Sequence, residues 1–241
     1  MTTLVSAFIS NVNNRHDMSL DKYFNYGKLL LQVQIPKVIF VDIYMYDKIK
    51  ELENELTKII LVDKNNNYLY EYIYQITNFK ANISNPTKDT IEYMFTMCHK
   101  TEWMKEAIES NFFMTDNFVW IDFGIRYIFK CDDFEFIGKI QNLQNKEYQK
   151  IRIGTIWNLN NEYSSDIYSN IYWYFAGGVF GGHKDYLLNF SNKMKEKCLQ
   201  IIKEKQCIMW EVNIWYLIYL ENPELFEGYQ CDHNETLITN Y

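Results

Sequence analysis

Proline and glycine are scarce, 3 and 9 among 241 residues. No Pro/Gly/Ser-rich linker, repeat or low-complexity tract divides the chain, so one domain spanning residues 1–241 is expected. No apolar run approaches the ~20 residues that a membrane-spanning helix needs. The short run after Met1 lacks a basic leader and reads as a first strand, not as a signal peptide. The five cysteines (Cys98, Cys131, Cys198, Cys207 and Cys231) form no CxxC pair. Their odd number and scatter predict reduced, mostly buried thiols and a cytoplasmic setting. Positive charge is in deficit, with 24 Lys and Arg against 31 Asp and Glu and a formal charge of −7. That excludes a general nucleic-acid binder, and a diphosphate ligand needs local positive charge from a metal, Lys or Arg. No P-loop, G-x-G-x-x-G fingerprint or Ser-His-Asp or Cys-His nucleophile signature is recognisable.

Hydrophobic residues make up 48% of the chain, enough to bury a sizeable core. Residues 3–9 predict a buried strand. Ser19 predicts the cap of a helix bearing Leu20, Tyr23, Phe24, Leu30 and Leu31 on one face, although Gly27 weakens it. Continuous apolar runs at 38–42, 59–63 and 118–122 each close on an acid, as buried parallel strands do where ligands bind. Asn85 and Pro86 predict the cap and first turn of a helix reaching Ile108. Residues 151–157 and 171–176 read as strands, 184–205 as an amphipathic helix and 208–220 as a buried one. The tail from Pro223 reads as irregular. This alternation predicts an α/β fold with a mostly parallel sheet flanked by helices.

Three places carry candidate chemistry. Asp122, in Trp120-Ile-Asp122-Phe-Gly124, either docks a metal-diphosphate at the sheet edge or caps a turn. Ala176-Gly-Gly-Val-Phe-Gly-Gly182 predicts a glycine loop that either approaches a ligand or simply links strand to helix. Glu211, with Asn213, stands near the head of an apolar helix. A carboxylate desolvated there suits a general base, and one favoured by the helix dipole suits a cap. Arg15, Asp42, Lys100 and His233 are lesser candidates, each also readable as a solvated or loop residue.

In this order, Thr3-Leu-Val-Ser-Ala with Arg15, Pro36-Lys-Val-Ile-Phe, Lys100, Asn111-Phe-Phe, Phe118 to Gly124, the glycine segment, Trp210-Glu211 and Tyr229 to Tyr241 resemble the HtrL/YibB-like family and glycosyltransferase modules of large DNA viruses. The resemblance implies a single GT-A domain, with residues 1–125 binding the nucleotide and 126–241 receiving the acceptor. It implies transfer of a sugar from a nucleotide-sugar donor to a glycan or glycoprotein acceptor, with inversion. Ser6, Arg15, Asp42, Lys100 and Asp122 would serve the donor, and Gly177, Gly178, Gly181 and Gly182 the sugar and acceptor. Glu211 would be the base. Asp122 takes the place of the first acid of a DxD motif that holds Mn²⁺ or Mg²⁺. The third position is Gly124, so His233 or Asp232 would supply a second ligand. The competing readings are a nucleotidyltransferase and a catalytically inactive sugar-binding or assembly protein.

Overall fold

The computed structural model describes residues 1–12, 18–82 and 85–241. One seven-stranded mixed sheet forms the middle layer of a single α/β domain. Its strands are β1 (Thr2–Phe8), β2 (Lys37–Val41), β3 (Thr57–Leu61), β4 (Asn117–Ile121), β5 (Ile151–Thr155), β6 (Phe175–His183) and β7 (Phe226–Gln230), in the order β3-β2-β1-β4-β6-β5-β7. β3, β2, β1 and β4 pair in parallel, β6 runs antiparallel to β4 and β5, and β7 is parallel to β5. β2 and β4 are buried along their whole length, as their continuous apolar runs require.

Eight α-helices flank the sheet among the described residues: α1 (Leu20–Gln32), α2 (Ile43–Ile49), α3 (Ile91–Cys98), α4 (Lys100–Ser110), α5 (Asp133–Gln141), α6 (Lys184–Lys205), α7 (Glu211–Glu221) and α8 (Thr236–Thr239). Two large apolar clusters form. One contains Val5, Trp103, Phe180, Phe190 and Trp215; the other contains Leu30, Ile121, Phe136, Val179 and Leu237. Ser19 caps α1 by accepting from the Lys22 amide. Gly27 is required inside that helix, because a Cβ there would stand 1.9 Å from the Phe123 ring.

Four expectations are corrected. The glycine segment is not a loop: residues 176–182 lie within β6, where bare backbone lets neighbouring elements close in. A Cβ on Gly181 would meet Phe118 O at 2.4 Å, and one on Gly182, whose φ is +145°, would meet Lys150 O at 2.1 Å. The helix predicted from Asn85 begins instead at Ile91, capped by Thr90, while the Asn85 carbonyl closes a turn by accepting from the Lys88 amide at 3.1 Å. That helix is also broken at His99, where α4 starts afresh. The tail is ordered into β7 and α8.

Candidate functional site

A cavity of about 570 Å³ opens where β1 and β4 end and β6 begins. Its walls come from residues early and late in the chain, among them Phe8, Tyr93, Asp122, Gly177, Glu211 and His233. Asp122 follows β4 directly. Its amide donates to Gly178 O at 3.0 Å, and its own carbonyl accepts from the Ile125 amide at 2.9 Å. The turn is therefore closed by backbone, leaving the carboxylate for side chains. Asp122 Oδ1 accepts from Trp120 Nε1 at 2.8 Å and lies 2.9 Å from Lys100 Nζ.

Glu211 is the first residue of α7 and only 6% exposed. No side chain caps this helix, and the Glu211 carboxylate turns instead to Lys100, 3.0 Å from Nζ to Oε1. Lys100, 1% exposed, also donates to Gly177 O at 3.0 Å. An ammonium has three N–H donors; two go to Gly177 O and Glu211 Oε1, and Asp122 Oδ1 closes the third side as an ion pair. Burial alone would lower the Lys100 pKa, but the Asp122 and Glu211 charges and hydrogen bonds outweigh it and raise it above the ordinary value. Lys100 is thus a fixed cation that pins one oxygen of each carboxylate. Asp122 Oδ2 and Glu211 Oε2 take no hydrogen bond from the described residues.

Gly177 and Gly178 shape this arrangement from β6. A Cβ on Gly177 would meet Glu211 Oε1 at 2.5 Å, whereas one on Gly178 would find Asp122 Oδ2 at an ordinary 3.8 Å. Gly181 and Gly182 do not join them. They pair with Val119 and Phe118 towards the opposite end of the strand, away from the cavity.

The remaining candidates divide. Asp42 ends β2 at the same sheet edge as Asp122 but does not line the cavity. It caps α2 through the Met45 amide at 3.1 Å and accepts from the Ser10 amide at 2.7 Å and from the Ser10 hydroxyl. Ser6 is buried within β1, its hydroxyl unpartnered among the described residues, and it too stands off the cavity wall. Arg15 lies outside the described residues. His233 lines the cavity with its ring edge-to-face on Trp173, 4.2 Å between centroids. Desolvation in the cleft lowers its pKa below the usual imidazole value against the opposing pull of Asp232, favouring the neutral ring. Asp232 is exposed and accepts from the His233 amide.

Among the described residues, one group of three His, Cys, Asp or Glu ligand atoms converges, Cys131, Glu135 and Glu235. It is outside the cavity, and Lys139 already bridges its two carboxylates. Among the described residues, the cavity therefore gathers no three-ligand cage for a metal. With one unengaged carboxylate oxygen at Asp122 and a neutral imidazole at His233, its donors do fit a hard cation carried mainly by ligand phosphates.

The parallel strands of this open α/β sheet thus end at a cleft, the edge at which such sheets generally take ligands. The chain belongs to the HtrL_YibB family, whose description is "Bacterial protein of unknown function", and matches it over residues 1–236. No curated protein matches the sequence. Among solved structures, the chain is similar to mouse xyloside xylosyltransferase 1 in its apo form, at 12% identity and a TM-score of 0.47, over 96% of this chain and 86% of that one. It is also similar to 4-diphosphocytidyl-2C-methyl-D-erythritol synthase from Anaerococcus prevotii, at 8% identity and TM-score 0.44, over 99% and 90% of the two chains. A third is HddC from Yersinia pseudotuberculosis, at 9% and 0.40, over 95% and 90%. Likeness at this level carries nothing of those proteins' activities to this one.

Proposed function

We propose that the chain is a GT-A-type glycosyltransferase that moves a sugar, with inversion, from a nucleotide-diphosphate sugar to a glycan or glycoprotein hydroxyl. The observation that carries this reading is the Lys100 clamp, which draws Asp122 and Glu211 together on the wall of one cavity. Glycosyl transfer asks for two aids, a base for the incoming hydroxyl and stabilisation of the departing diphosphate. Glu211 Oε2 accepts the hydroxyl proton as the acceptor oxygen bonds to the anomeric carbon. The bond from that carbon to the phosphate oxygen breaks, and its electron pair leaves with the nucleoside diphosphate. Lys100 prevents the Glu211 carboxylate from rotating away, and Gly177 leaves the space in which it sits. Asp122 Oδ2 and His233 are the residues that would hold Mn²⁺ or Mg²⁺, which supplies positive charge to the diphosphate.

The test is Glu211→Gln. Turnover falls ~10²–10⁴-fold, the usual worth of a positioned base, while binding of the nucleoside diphosphate stays at the wild-type level. A product retaining the donor's anomeric configuration would sink the base assignment. Release of pyrophosphate from a nucleoside triphosphate would identify nucleotidyl transfer instead.

A further inference from the structure

We infer that Lys88 is the side chain that grips the donor's diphosphate. The inference rests on the transferase reading above and adds a residue that no sequence pattern singles out. Among the described residues, Lys88 and Lys100 are the only lysine or arginine side chains lining the cavity. Lys100 is poorly placed to serve a phosphate, because its buried ammonium is already engaged by Gly177, Asp122 and Glu211. Its charge is also outnumbered by the two carboxylates it touches. A diphosphate entering this cleft therefore meets net negative charge unless another cation faces it.

Lys88 is placed to be that cation. Its ammonium lies 3.4 Å from Asp89 Oδ1 and 5.1 Å from the Tyr93 ring centroid, and it makes no hydrogen bond among the described residues. The side chain is 27% exposed, so its donors can reach a ligand while sharing the ammonium, among the described residues, with the Asp89 carboxylate alone. The backbone that carries it is tied down on both sides. Thr90 Oγ1 donates to Val12 O at 2.7 Å, fixing the turn to the segment after β1. Asp89 Oδ1 accepts from Trp210 Nε1 at 3.4 Å, fixing it to the residue before Glu211. Tyr93, under the ammonium, is itself close enough to Glu211 and Asp122 to feel both charges. The turn thus holds Lys88 where the walls bearing donor and base candidates meet. A compact ammonium there suits a phosphate as a point charge.

The experiment uses the full chain and four probes, UDP, GDP, CDP and ADP, each beside its nucleoside. Binding is measured by calorimetry with Mg²⁺ and with excess chelator. For the diphosphate that wild type binds best, Lys88→Gln weakens affinity ~10–100-fold, the range of a lost charge-assisted hydrogen bond. Nucleoside affinity is unchanged, and Lys88→Arg keeps most of the diphosphate affinity. The chelator arm shows the same Lys88→Gln loss, since the contact is made by a side chain. Equal diphosphate binding by Lys88→Gln and wild type overturns the inference while leaving the transferase reading intact. Equal losses for nucleoside and diphosphate also overturn it, by showing a structural role. If wild type binds no diphosphate more tightly than its nucleoside, the transferase reading itself falls.

Discussion

Two lysines are buried in this domain to the same extent, Lys37 and Lys100, each 1% exposed. They stand at opposite ends of the parallel strands. Lys37 opens β2 and donates only to neutral oxygens, Val33 O at 2.7 Å and Thr57 Oγ1 at 3.3 Å. Burial pushes its pKa down to about 8. Lys100 meets two carboxylates, and its pKa moves up despite equal burial. At equal exposure, the presence or absence of carboxylate partners decides the direction of the shift. At the amino end of the strands a lysine fastens the end of α1 to β3 at an electrostatic cost. At the carboxyl end it draws two acids together on a cavity wall, the arrangement on which the proposed reaction rests.

The sharpest way to break this contrast is Lys100→Met. Removing one partner of a buried ion pair leaves carboxylates without compensation, which typically costs ~3–5 kcal/mol. Denaturant unfolding should show that loss, together with loss of the proposed transferase activity. Lys100→Arg, which keeps the charge, should recover part of the stability. A Lys100→Met protein as stable as wild type would mean that the clamp contributes nothing to the fold.

Lys37→Met should act with the opposite sign. Below pH 8 both folded and unfolded wild type carry the proton, and the folded state bears the burial penalty. Between pH 8 and 10.5 the folded state has released the proton while the unfolded state retains it, so wild-type stability rises with pH. The wild-type-minus-variant difference should climb by up to about 3 kcal/mol across that window. At pH 7 the variant should match or exceed wild type, less the two hydrogen bonds it gives up. A flat difference across the window would show that Lys37 does not feel its burial.

Neither lysine's role is legible locally. β1, β2, β4 and α6 could be read from the chain because apolar runs and helical periodicity are local signals. The β6 glycines carry no propensity that says strand; only packing by Phe118, Lys150 and Glu211 explains them. Asn85-Pro86 is a stronger local start signal than Thr90, yet it serves a turn. The same limit governs the site. Asp42 and Asp122 end apolar runs in the same way, yet one caps α2 and the other faces the cavity. Lys100, Asp122 and Glu211 each drew notice as residue types, but their meeting joins positions 111 residues apart. Lys88, a lone lysine in a polar stretch, offered no signal; tertiary bonds to Val12 and Trp210 place it.

The smallest expected effect on stability is the most informative about geometry. Gly177 and Gly178 are neighbours in β6, and glycine in a strand interior costs ~0.5–1 kcal/mol relative to alanine. Gly178→Ala should realise that gain or be neutral, because its Cβ would meet Ile125 and Leu237 at an ordinary 3.6 Å. Gly177→Ala places a Cβ 2.5 Å from Glu211 Oε1 and 3.2 Å from Val212 Cγ1, so the carboxylate must move. Since the end of a side chain yields more readily than backbone, the stability cost should be no more than ~1 kcal/mol. The displaced oxygen is the one that Lys100 pins, and misplacing a reacting group costs far more in rate than in folding. Transfer by Gly177→Ala should therefore fall at least ~10-fold, with diphosphate affinity held and Gly178→Ala near wild type. Measuring kcat and melting temperature on the pair separates the two faces of one strand. If Gly178→Ala loses the greater activity, Asp122 and not the pinned Glu211 sets the rate, and the clamp has been read from the wrong side.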